Sequence, residues 1–100
     1  MADAAEQALT FVATRQREDL DRDAMLSMAL TRAVEIVGEA AARVSEAGRA
    51  ELPGIPWPAV VGMRNRLVHA YFDIDHDILW DTVHLALPAL LVELKTVLRA

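Results

Sequence analysis

From Ala24 to about Ala47, apolar residues recur at Leu26, Leu30, Ala33, Ile36 or Val37, Ala40 and Val44. Spacings of three and four place them on one stripe along about six helical turns. This stretch predicts the longest helix of the chain, with Gly38 inside it. Glycine costs about 1 kcal/mol in a helix interior, so Gly38 is read as permitting a close helix contact rather than as a break. The remaining composition agrees with helices. Hydrophobic types make up 54% of the 100 residues, yet 18 residues are Ala and only 5 are aromatic. Val, Ile, Thr and the aromatics do not cluster in alternating runs, which weighs against a sandwich or barrel. The length suits one compact domain, read here as residues 1–100.

The other elements follow from the same periodicity and from punctuation. Ala5, Ala8, Leu9 and Val12 predict a short first helix over about residues 3 to 17, with Phe11 as its large anchor. In the acidic connector after it, Asp21 or Asp23 can accept the free amide protons of the long helix. Gly48 is the expected C-cap of that helix, and Leu52-Pro53-Gly54-Ile55-Pro56-Trp57-Pro58 is a stiff loop. Pro58 fits the first turn of a third helix running to about Tyr71. Asp73, Asp75 and Asp77 surround the start of a last, strongly apolar helix, in which Pro88 predicts a kink. The expected fold is all-α, an up-and-down four-helix bundle with a kinked last helix. Surplus apolar helix surface points to a homodimer.

Charge and composition narrow the function. No apolar stretch approaches the roughly 20 residues that span a bilayer, and an acid at Asp3 does not suit a secretory signal. Cysteine is absent, which removes disulfides, thiolate metal ligands and thiol nucleophiles, and the cytoplasm is the expected compartment. A net charge of -5 argues against coating nucleic acid by bulk electrostatics. Residues 24–72, with 4 acids and 5 bases, form the only non-acidic third, and 9 of the chain's 10 bases are Arg. Arg presents a planar fork of donors suited to phosphate.

The third helix breaks the apolar pattern. On a regular helix with Val60 at zero, Leu67, Tyr71 and Val68 fall at about 340°, 20° and 80°, with Arg64 among them at about 40°. A guanidinium there needs a partner, either an acid of the long helix such as Glu35 or Glu39, or an anionic ligand. Asn65, His69 and Arg66 occupy the other side, at about 140°, 180° and 240°. Asn65 and His69 are four apart and can hydrogen-bond.

Arg64-Asn65-Arg66-Leu67-Val68-His69-Ala70-Tyr71 reads Arg-x4-His-x-Tyr. It resembles the signature of the HepT-like ribonuclease toxins, a branch of the HEPN (higher eukaryotes and prokaryotes nucleotide-binding) superfamily. Glu35 to Ala41, Ile55-Pro56-Trp57, Gly62 to Asn65, Trp80 to Val83 and Leu87-Pro88 are similar to its flanking segments, so the likeness spans about residues 22 to 98. The first helix is shorter than is usual for that family. The resemblance implies a homodimer whose motif helices meet in a cleft that cuts RNA without a metal or cofactor. Arg64 and His69 would be catalytic, and Asn65, Arg66 and Tyr71 supporting. It also implies a minimal nucleotidyltransferase antitoxin as partner, which transfers AMP to Tyr71.

The chemistry is consistent with those side chains. Imidazole titrates near neutrality and can move a proton to or from a ribose oxygen, while a guanidinium can hold phosphate oxygens. On a regular helix, however, Arg64 and His69 lie about 140° apart, so a shared site requires the helix to bend or end near Ala70. The competing expectation is a non-catalytic HEPN-like module that binds a nucleotidyltransferase partner or a nucleotide. Asp77, Asp81 and His84 share a helix face that could recruit a divalent ion, but that spacing is common on exposed helices and no metal is expected. Trp57 and Trp80 are expected to pack the loop and the last helix onto the core.

Overall fold

The computed structural model describes the backbone of residues 1–70 and 73–98, and the side chains of 1–63, 65–67 and 74–96. Among the described residues helices supply the core, joined by Ile55 from the loop before the fifth helix. The first, α1 (Ala2–Val12), buries Ala4, Ala5, Ala8 and Val12. Three of these are alanines, so the backbone of α1 can lie close to its neighbours. Phe11 is not an anchor: it is 41% exposed. A single turn, α2 (Asp19–Arg22), follows and buries Leu20.

The predicted long helix is α3 (Ala24–Ala42). Asp23 caps it, its carboxylate accepting from the Leu26 amide at 3.1 Å. The helix ends five residues earlier than the apolar stripe suggests, and Gly48 does not cap it. Instead Ser45 starts a separate short helix, α4 (Glu46–Glu51), by accepting from the Gly48 amide at 3.0 Å. A serine that satisfies a free amide competes with continuation of the previous helix. Gly38 behaves as expected. A Cβ there would stand 3.3 Å from the Val61 carbonyl oxygen and 3.5 Å from that of Val60, so the next segment crosses α3 at backbone contact.

The proline-rich loop is pinned by Trp57, which is buried and donates its indole N–H to the carbonyls of Arg49 and Leu52. Arg49 stacks over that indole at 5.6 Å and donates to the Ala41 carbonyl at the end of α3. Trp57 opens α5 (Trp57–Val61), with Pro58 in its first turn as anticipated.

The predicted third helix is not continuous. It breaks at Gly62, resumes as α6 (Met63–Leu67) and ends at Leu67 rather than near Tyr71. Two short strands follow, β1 (Val68–Ala70) and β2 (Asp73–Ile74), paired antiparallel with Val68 opposite Ile74 and Ala70 opposite Asp73. Tyr71 and Phe72, between the strands, lie outside the described residues. The Asp75 amide donates to the Leu67 carbonyl at 2.8 Å and closes the base of the ribbon.

The Asp75 carboxylate then caps α7 (His76–Asp81), accepting from the Ile78 amide at 3.0 Å. The last helical segment departs from regularity as Pro88 predicts, in the form of a π-helical stretch, Thr82–Ala86, that leads into α8 (Leu87–Leu98). The Leu87 amide bonds back to the Thr82 carbonyl, five residues earlier. Proline cannot donate and its ring crowds the preceding turn, so widening that turn by one residue accommodates both effects. Leu20, Leu30, Val34, Val37, Leu67, Leu79, Val83 and Leu87 are fully buried at the centre of the core. Trp80 is only partly buried and lies against the His84 ring, with centroids 3.9 Å apart.

Candidate active site

Arg64 stands on α6 and His69 on β1, so the angle between them on a regular helix does not apply. A residue advances about 100° per step in a helix and about 180° in a strand, and the path changes from one to the other after Leu67. The bend or ending that a shared site requires is therefore present, three residues earlier than anticipated. Among the described side chains of this region Val60, Met63 and Leu67 are buried, while Val61 is 37% exposed. The side chains of Arg64 and His69, and all of Tyr71, lie outside the described residues, as does the anticipated bond between Asn65 and His69.

Asn65 and Arg66 are both exposed. Asn65 lines a cavity of about 210 Å³ with Glu35, Gly38, Glu39, Ala42 and Val61, between α3 and the motif segment. Glu35 and Glu39, the acids considered as partners for Arg64, both face Arg32, at 3.2 and 3.5 Å. Arg66 faces the other way. Its guanidinium donates to the Ala59 carbonyl at 3.2 Å and borders cavities against the last helical segment, where Ile55, Val60, Met63 and Leu90 form an apolar wall. Arg66 consequently spans from α6 to its own preceding helix, and Asn65 is the motif amide on the α3 side.

Behind the ribbon lies a larger network that the sequence did not reveal. His76 places Nδ1 2.7 Å from the Asp21 carboxylate and Nε2 3.3 Å from the Ser27 hydroxyl. A carboxylate only accepts, so Nδ1 carries the proton, and in the neutral ring Nε2 accepts from Ser27. Arg17 bridges Asp21 at 2.7 Å and Asp77 at 2.6 Å. The hydrogen bond from His76, followed by that from Arg17, holds the Asp21 carboxyl below its ordinary value of 3.8. The Leu26 amide and then Arg15 do the same for Asp23. Asp21 and His76 are 55 positions apart, so no local pattern could have paired them.

With Asp77 held by Arg17 and His84 Nδ1 2.9 Å from the Trp80 carbonyl, the Asp77, Asp81 and His84 face gathers no metal-ligand group among the described residues. No helix among them is long and apolar enough to cross a membrane.

A helical core interrupted at an Arg-x4-His-x-Tyr segment defines a class. The chain belongs to the HepT-like ribonuclease family, whose model matches residues 1–97, and this makes it an enzyme of the ribonuclease class. The match includes α1, short as that helix is. Over 82 residues the chain is 34% identical to a candidate RNase of Caldanaerobacter subterraneus subsp. tengcongensis, covering 82% of this chain and 73% of the relative. A candidate RNase of Methanocaldococcus jannaschii is 33% identical over 95% of this chain and 87% of its own. A candidate ribonuclease HepT of Thermococcus cleftensis is 40% identical over 73% of this chain and 66% of its own. No solved structure matches the chain.

Proposed function

We propose that this protein is a metal-independent endoribonuclease, the toxin of a toxin–antitoxin pair with a minimal nucleotidyltransferase, acting in the cytoplasm as a homodimer. The observation that carries this reading is the family match, which contains Arg64, His69 and Tyr71 in the motif spacing. On this reading residues 1–100 form one domain, a four-helix bundle made of α1, α3, the α5–α6 pair and the α7–α8 segment. His69 takes the proton from a ribose 2′-hydroxyl, whose oxygen attacks the adjacent phosphorus. Arg64 holds the phosphate oxygens as charge accumulates on them, and water or the second subunit's imidazole protonates the leaving 5′-oxygen. One subunit supplies one motif imidazole, so a two-fold cleft that brings two together completes the acid–base pair. Asn65 and Arg66 support the motif segment from opposite sides. AMP transferred to Tyr71 would place a phosphate beside Arg64 and repel RNA, which accounts for silencing by the partner.

The test is RNA cleavage in excess chelator. Wild type is expected to cut, and His69→Ala and Arg64→Ala to lose about 10²–10⁴-fold in rate with unchanged unfolding midpoints. Incubation with the nucleotidyltransferase and ATP should add the mass of one AMP at Tyr71. The chain's charge of -5 favours a second reading, a non-catalytic module that binds the nucleotidyltransferase or a nucleotide. That reading prevails when wild type and His69→Ala both bind the partner and neither cuts any RNA.

A further inference from the structure

A cavity of about 610 Å³ opens between α2, the start of α3 and β2. Its wall includes Arg17, Asp21, Arg22, Ser27, Met28, Ile74 and His76. We propose that it is a subsite for a nucleotide flanking the scissile bond of single-stranded RNA, with Arg22 holding the phosphate and Ser27 reading the base. This rests on the ribonuclease reading above.

Four observations converge. The first is position: Ile74 pairs with Val68, the residue before His69, so the cavity adjoins the ribbon that carries the motif histidine. The second is charge. Two guanidinia and one carboxylate line the cavity, so even with Asp77 on Arg17 the site carries no net negative charge in a chain of net charge -5. Arg17 is neutralised by Asp21 and Asp77, whereas Arg22 is exposed and forms no ion pair among the described residues. A phosphate would meet one uncommitted fork of donors.

The third is the apolar wall. Met28 is 69% exposed at the cavity and, with Ile74, offers a polarisable surface to the face of a base. The fourth is the polar floor. Asp21 orients the His76 ring, whose Nε2 lies 3.3 Å from the buried Ser27 hydroxyl; in the neutral ring that nitrogen accepts from Ser27, and the hydroxyl's lone pairs are left to accept from a base amino group. The volume is in the range of small-ligand sites and accommodates a nucleoside.

The experiment measures binding of a short 2′-O-methyl oligoribonucleotide, which lacks the attacking hydroxyl and cannot be cut, across a salt series. For a single strand, log affinity falls against log salt by about 0.7 per phosphate contact. Arg22→Ala should therefore flatten the slope by about 0.7 and weaken binding about fivefold at 0.1 M salt. Ser27→Ala should weaken binding about two- to tenfold and leave the slope alone, because it removes an uncharged contact. Arg43→Ala is the control: it removes the same charge at the far end of α3, about 28 Å along the helix, and should leave affinity and slope unchanged. Arg22→Ala and Ser27→Ala binding like wild type would overturn the subsite, as would an equal effect from Arg43→Ala. When wild type cuts RNA in that case, only the subsite falls. When wild type neither cuts RNA nor binds the oligonucleotide, the ribonuclease reading falls with it.

Discussion

A missing Cβ sets the distance between α3 and the segment that leads into the motif. At Gly38 the Val61 carbonyl oxygen would lie 3.3 Å from an added Cβ, and it belongs to backbone, which can give only by a small shift of the whole of α5. Gly38→Ala should be nearly neutral, since its helix-propensity gain of about 1 kcal/mol offsets a small displacement of α5. Gly38→Val should destabilise by about 1–3 kcal/mol in urea unfolding, because branched bulk has nowhere to go. Asp21 governs a different response. Its folded pKa lies below the ordinary 3.8, so its contribution to stability is complete above that value and is lost as pH falls through the folded one. The gap in urea midpoint between wild type and Asp21→Asn should therefore be widest near neutrality and close as the pH drops below about 4. The close contact at Gly38 was legible as a glycine set inside an apolar stripe, and the cap was narrowed by sequence to Asp21 or Asp23, of which the structure uses Asp23. The pairing of Asp21 with His76 was not legible, because only tertiary folding brings them together.

At the scale of elements, the chain's punctuation predicted where regularity fails better than how it fails. Pro58 and Pro88 marked a helix start and a helix distortion, and both appear, the second as a π-helical stretch. Gly62 and the switch to strand after Leu67 escaped the helical reading because Val60, Val61, Leu67 and Val68 fit a helical face well enough. Competition from tertiary packing decided otherwise: the Asp75 amide closes on the Leu67 carbonyl, and β2 pairs with β1. Asp75 is the hinge of this arrangement, since its carboxylate also caps α7. Asp75→Ala should cost about 0.5–2 kcal/mol in thermal or urea unfolding, and Asp75→Asn, which retains an acceptor, should cost less.

For the whole molecule, the prediction concerns assembly. Met25, Leu85 and Val92 are each about two-thirds exposed or more, an apolar surplus on a chain of 11.0 kDa. Native mass measurement or sedimentation should return twice that mass, and a strictly monomeric protein would remove the shared cleft from the proposed mechanism. The helical class, the long helix and its cap, the proline-marked start and distortion, and the motif with its family likeness were all written in the order of residues. Each rests on local periodicity, on backbone chemistry within one turn, or on a contiguous pattern. The break at Gly62, the ribbon that separates His69 from the helix of Arg64, and the Arg17, Asp21, Ser27 and His76 network were settled only by tertiary structure. They depend on which distant carboxylates, carbonyls and amides come within hydrogen-bonding reach once the core has closed, and no spacing along the chain encodes that.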